Sequence, residues 1–155
     1  KRKFNFFKSV TMKKTILIAS DHAGLSLKTF LIKNSPEFNW TDLGPSSEAS
    51  VDYPDFADLL AKGIKTPNDF GVLICGSGQG MAIRANKYPH IRAALCWNTE
   101  VAQLSREHNN ANVLCLGSRL ISPDLAQNIF ETFIKTDFAG GRHAQRVAKI
   151  SSPLK

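Results

Sequence analysis

Residues 70–80 read FGVLICGSGQG, a nearly all-apolar run of strand length that breaks at once into alternating glycines. Six uncharged residues from Phe70 to Cys75 predict a strand covered on both faces, which is the environment of a parallel sheet. Gly76, Gly78 and Gly80 let the chain turn tightly and pass close to a neighbour. A helix through about Asn86 is expected next. A strand that hands over to a helix through a short turn is the repeating unit of an α/β fold.

The same alternation continues on both sides. Upstream, Lys14–Ala19 (KTILIA) is a strand, Ser20–Gly24 a turn, and Leu25–Lys33 a helix with Leu27, Phe30 and Leu31 at helical spacing. Asn39–Leu43 is a second strand. A polar loop, Gly44–Asp52, leads to Tyr53-Pro54, where proline suits a first helical turn. Phe56, Ala57, Leu60 and Ile64 continue that helix. Downstream, Ile91–Cys96 and Val113–Leu116 are strands around a helix at Glu100–Glu107. Ser122-Pro123-Asp124 starts a helix that runs over Leu125–Lys135. A basic segment, Gly140–Ile150, follows. Five strands separated by helices predict a three-layer Rossmann-like (flavodoxin-like) α/β fold. Its five-stranded parallel sheet is expected in the order 2-1-3-4-5. Residues 12–155 form one domain on this reading. Residues 1–11 (KRKFNFFKSVT) read as an extension outside the fold, a tag or upstream-derived segment without the apolar centre of a secretory signal.

Composition narrows the function. The 155 residues carry 20 Lys and Arg against 13 Asp and Glu, a net charge of +7. Lys1, Arg2, Lys3 and Lys8 fall in the acid-free first eleven residues, and without them the net charge is +3. That balance suits a binder of small phosphorylated anions and lacks the basic stripe of a nucleic-acid protein. No apolar run approaches the ~18–20 residues that cross a bilayer. Cys75, Cys96 and Cys115 are an odd, widely spaced set without a CxxC pair, which argues against disulfides and metal binding and for a reducing cytoplasm.

In open α/β sheets ligands bind beyond the carboxyl ends of the strands. That rule selects Ser20–Gly24, Gly76–Gly80 and the segment after the fourth strand. The GSGQG loop is neither a Walker loop nor a GxGxxG fingerprint, and reads either as a tight turn or as an anion cradle. Cys75 is either a small core residue or, beside a helix start that favours a thiolate, a general base. Ser77 adds a hydroxyl. Asp21 and His22 read as a capped turn or as contacts to sugar hydroxyls and phosphate. His108, near the end of Ser105–Asn110 (SREHNN), complements a helix C-terminus or shuttles protons. Arg119, Arg142 and Arg146 are anion candidates. The last two share a face if their segment is helical, with His143 between them.

Taken together these residues resemble a known family. SDHAG at 20–24, DYPDFA at 52–57, GVLICGSGQGMAIRANK at 71–87, RAALC at 92–96, QLSREHNNANVLCLGSR at 103–119 and GGRHAQRV at 140–147 are similar to the ribose-5-phosphate isomerase B family and its allose- and galactose-phosphate relatives. The similarity spans nearly all of residues 14–147, and residues 1–11 have no counterpart. It implies a cofactor-free aldose–ketose isomerase of the pentose phosphate pathway, working through a cis-enediolate on ribose 5-phosphate. It implies Cys75 as the base, Ser77 where many members have threonine, and His108 in ring opening. Asp21, His22, Tyr53, Gly76, Gly78, Gln79, Gly80 and Asn109 would bind substrate. Arg119, Arg142 and Arg146 would hold its phosphate. A homodimer or homotetramer with shared active sites is expected. The chemistry agrees, since such an isomerase needs a base near C2, an acid near O1 and O2, and donors for the oxyanion. An isomerase of a six-carbon sugar phosphate and a non-catalytic nucleotide-binding module are the competing readings.

Overall fold

The computed structural model describes residues 14–155, so the extension expected at 1–11 lies outside the described residues. Five strands carry the sheet: β1 (Thr15–Ser20), β2 (Asn39–Asp42), β3 (Phe70–Cys75), β4 (Ala93–Leu95) and β5 (Val113–Gly117). Six helices accompany them: α1 (Leu25–Asn34), α2 (Tyr53–Gly63), α3 (Gln79–Ala85), α4 (Thr99–Asn109), α5 (Pro123–Lys135) and α6 (Arg142–Ile150). A single 3-10 turn, His22–Gly24, runs into α1. Local chemistry sets several starts. The Asn98 side chain accepts from Val101 N–H at 2.8 Å to cap α4. Ser122 Oγ accepts from Leu125 N–H at 3.2 Å to cap α5. Asn110, in the left-handed region at φ 46°, ends α4.

All strand pairs are parallel, and residues alternate between two cores. Ile16, Ile18, Val72, Ile74, Leu114 and Leu116 point to one face, where α1, α4 and α5 cover them. Leu17, Ala19, Leu73, Cys75, Val113 and Cys115 point to the other, under α2 and α3. On the first face the Phe130 ring packs 5.4 Å from Phe38 and 5.2 Å from Trp40, tying α5 to the β2 edge.

The strand order is β2-β1-β3-β5-β4, not the expected 2-1-3-4-5. Burial explains the exchange. All five residues of β5 are buried, and it takes the interior position. The fourth strand shrinks from the expected 91–96 to three half-buried residues at the edge. Arg92 interrupts it, because its N–H goes to the Asn112 side chain at 2.8 Å and its guanidinium to Asn110 O at 2.7 Å. Right-handed crossovers then assign the helices. The step from β3 out to β4 leaves α3 beside α2, and the step back to β5 carries α4 to the opposite face beside α5.

The chain exits β1 and β5 toward one face and β3 toward the other, so the loop after β3 lies between two reversals. The three loops interlock there. Asp21 N–H donates to Ile74 O at 3.0 Å, Ser118 N–H to Cys75 O at 2.9 Å, and Ser118 Oγ to Ala23 O at 2.9 Å. Gly24 permits the closest approach, since a Cβ there would stand 2.6 Å from Ile74 O. Gly24→Ala is therefore expected to destabilise the fold by about 1–3 kcal/mol, the usual cost of overpacking. Urea unfolding measures this, and an unchanged midpoint would show that the loops are not in tight contact.

Candidate active site

The carboxyl edge of the sheet collects one group of the expected residues. Cys75 ends β3 and is 4% exposed, with Sγ accepting the Gly78 N–H at 3.2 Å. That contact requires the tight turn of the glycine loop. Gly78 sits at φ +77°, and a side chain there would meet Leu95 and the backbone of Leu116. Ser77 is exposed, and its Oγ accepts from Gln79 N–H at 3.3 Å. Arg119 lies across the loop, its Nη1 2.8 Å from the place a Gly76 Cβ would occupy. The Tyr53 ring lies where a Gly80 side chain would stand, so Gly80 admits it. Asp21 is buried and caps the following turn through Gly24 N–H at 3.0 Å. His22 Nδ1 accepts the Val51 N–H at 3.3 Å. This leaves Nε2 to carry the ring proton when the ring is neutral. A pocket of about 180 Å³ opens beside this group, lined by Ser77, Gln79, Leu95, Trp97 and Leu120.

A second group lies at the amino edge. His108 and Asn109 close α4, and α6 packs against that end. The His108 and His143 rings stack with centroids 4.3 Å apart and planes 15° from parallel. Arg142 and Arg146 are exposed on the same short helix. Arg106 fastens the region from beneath. Its Nε donates to Thr136 O at 3.1 Å, its Nη1 donates to Asn110 and Ala111, and the guanidinium lies 5.0 Å from the Phe70 ring centre.

Cys75 and His108 thus stand at opposite edges of one sheet. The helix α4 joins the carboxyl end of β4 to the amino end of β5, and His108 is its next-to-last residue. The carboxyl edge offers sulfur, hydroxyl and backbone donors. The amino edge offers paired imidazoles and two guanidinium groups. Burial pushes Cys96 up to about 11 and Cys115 well above the ordinary thiol range, so both are protonated at neutral pH. Among the described residues, no cluster of three His, Cys, Asp or Glu side chains has the geometry of a metal site, and no helix is long and apolar enough to cross a membrane.

Residues 16–150 match the ribose/galactose isomerase family. A protein of Mycoplasma genitalium named probable ribose-5-phosphate isomerase B is 46% identical over 140 residues, covering 87% of this chain and 92% of that protein. The structure of ribose 5-phosphate isomerase B from Anaplasma phagocytophilum superposes with a TM-score of 0.85 at 48% identity, covering 89% and 97% of the two chains. The Mycoplasma genitalium enzyme with bound ribulose-5-phosphate superposes at 0.84 and 45% identity, covering 88% and 93%. The chain belongs to the ribose/galactose isomerase family.

Within this family member, sequence reasoning located both residue groups but not their separation. Four further residues beside these groups carry no part in that reading. Val51 acts through its backbone N–H, which no side-chain pattern reveals. Trp97 and Leu120 line the pocket as exposed apolar residues without a periodic signature. Lys28, 1% exposed, carries a signal that was readable, a lysine three residues before Leu31 on the apolar stripe of α1.

The stacked pair has a pH signature. Burial lowers the His143 pKa from its ordinary value, and the neighbouring His108, Arg142 and Arg146 lower it further, against a smaller opposing pull from Glu107. Folded His143 therefore holds its proton more weakly than the unfolded chain does. The stability it carries is intact above the unfolded histidine value of about 6.5 and declines as pH falls from there toward the folded value. NMR titration is expected to place His143 below that value, and Arg142→Ala to move it back upward. A His143 that titrates at or above about 6.5 would show that the stacked, cationic surroundings do not persist in solution.

Proposed function

We propose that this protein interconverts ribose 5-phosphate and ribulose 5-phosphate. The observation that carries the reading is Cys75, held at the ligand edge by the Gly78 N–H with Arg119 across the loop, in a chain whose relative binds ribulose-5-phosphate. The reaction moves one proton from C2 to C1 of the open sugar. Cys75, as the thiolate, removes the C2 proton to give a cis-enediolate and returns a proton to C1. Ser77 and the amides of the glycine loop stabilise the developing oxyanion. Asp21 and His22 orient hydroxyls from the first loop, with Tyr53, Gln79 and Asn109 completing the sugar contacts.

Ring opening and phosphate binding fall to the other group. His108 transfers the proton between the ring oxygen and the C1 hydroxyl. Arg142 and Arg146 clamp the phosphate, so that its binding energy fixes C1 and C2 against the base. Because the two groups occupy opposite edges, a second copy of the chain supplies His108, Asn109, Arg142 and Arg146 to the Cys75 edge of the first. A homodimer is the smallest assembly that completes the site, and a homotetramer satisfies the same need. The steps call on no cofactor. Three free thiols suit a reducing cytoplasm and a role in pentose phosphate metabolism.

A coupled assay of ribose 5-phosphate turnover tests the reading directly, with activity expected from the purified chain alone. Cys75→Ser keeps the size of the side chain but is a far weaker base. It should fold normally and lose on the order of 10²–10⁴ in kcat, as removal of a general acid–base group does. Exchange of the substrate C2 proton with solvent deuterium should fall in parallel. A folded Cys75→Ser enzyme with wild-type exchange and turnover would remove this residue from the mechanism.

A further inference from the structure

Lys28 is among the largest fully buried side chains of the described residues and the one charged residue in that set. Its Nζ donates to Asp42 Oδ1 at 2.7 Å and to Pro45 O at 2.6 Å. Asp42 Oδ1 accepts a further bond, from Gly44 N–H at 2.9 Å. The ammonium thus ties the carboxyl end of β2 and the start of the following loop to the middle of α1. Burying a lysine is costly unless its hydrogen bonds are made, and a purely apolar residue would suit a core position better. The charge has to serve something that packing does not.

That loop returns to the site at its far end. Val51 N–H donates to His22 Nδ1, and Tyr53 begins α2 two residues later against Gly80. Residues 46–50 between the two anchors are exposed, and the Val51–His22 bond is long at 3.3 Å. Such a bond is too weak to hold a loop and depends on how the loop is held elsewhere. His22 belongs to the turn that continues into α1, the helix that carries Lys28. Lys28 therefore fixes the loop in the same rigid frame as the imidazole the loop must meet.

We propose that Lys28 is a positioning residue for substrate binding, which locks the β2–α2 loop so that Val51 holds the His22 ring with its Nε2–H toward the substrate edge. The inference rests on the isomerase reading for the role of His22, but its structural core does not. Release of the loop frees the Nδ1 position and lets the ring sample both neutral tautomers. The sugar then meets a misoriented His22 and a looser Tyr53, while Cys75 and its Gly78 contact stay in place. The signature is a raised KM with kcat little changed.

The test compares wild type with Lys28→Met, which keeps the length and removes the charge. Asp42→Ala serves as a second variant that removes, from the exposed partner, the carboxylate that accepts from both Lys28 Nζ and Gly44 N–H, leaving the bond from Lys28 to Pro45 O. In each, nitrogen-15 NMR of ligand-free protein reads the His22 tautomer, and steady-state kinetics on ribose 5-phosphate read KM and kcat. Wild type is expected to show a single Nε2–H form and the folded variants a mixture. Their KM should rise about tenfold, the worth of one orienting hydrogen bond, with kcat within about threefold. An unchanged tautomer and KM in a folded variant would overturn the proposal. So would failure of both variants to fold, which would make Lys28 a residue of the core alone. Wild type without isomerase activity would sink the functional reading instead, and the tautomer comparison would still decide whether Lys28 sets the ring.

Discussion

Strands of a parallel sheet all point one way, so each connecting helix must return the chain from the carboxyl edge to the amino edge. In this protein that return decides where chemistry can sit. Cys75 lies at the end of a strand, and His108 lies at the end of a helix. Their separation is a consequence of topology rather than of any loop conformation, and side-chain rotation cannot close it. The last helix, α6, adds to the division, because it packs on the far end of α4 and brings Arg142, His143 and Arg146 to the same edge as His108. On the proposed reading, which puts the two halves of one reaction on these opposite edges, the simplest arrangement is a symmetric pair in which each surface meets the complementary one of its partner.

The carboxyl edge, the proposed half-site, is tightly built. Three loops from β1, β3 and β5 share backbone hydrogen bonds, with glycines where a side chain would collide. The sulfur of Cys75 is held by an amide of its own turn, and the loop after β2 is tied down through a buried ammonium. Preorganisation of this kind suits an isomerase, whose intermediate carries its charge only briefly and gains most from donors already in place.

Much of this was legible in the sequence, for physical reasons that differ by element. The FGVLIC run and its sheet neighbours β1 and β5 were clear because burial on both faces removes every charge. The helices from Leu25 and Tyr53 showed apolar periodicity and, in the second, a proline start. The order of the last two strands was not legible. Residues 91–96 hold five apolar residues around Arg92 and read as a strand beside 113–116, and only the hydrogen bonds of Arg92 to Asn110 and Asn112 shorten the fourth strand into an edge. The helix at 142–150 was readable only as a basic segment, because it buries no residue in the chain's own core. The His108–His143 stack joins residues on two separate helices, and spacing along the chain carries no trace of it. Cys75, His108 and the arginines were each identifiable by type and motif, yet their division between two edges emerged only from the topology.

The proposed sharing of one site between two copies is tested most directly by mixing two chains, each expected to be inactive alone. Cys75→Ala and His108→Ala are co-refolded, or exchanged as subunits, in equal amounts, and ribose 5-phosphate turnover is measured alongside proof of mixed oligomers. If each site takes Cys75 from one chain and His108 from the other, every mixed dimer regains one intact site. Random pairing then restores about a quarter of wild-type activity. Mixed oligomers that stay at the level of the two parents would contradict the arrangement and place both residues of a working site within a single chain.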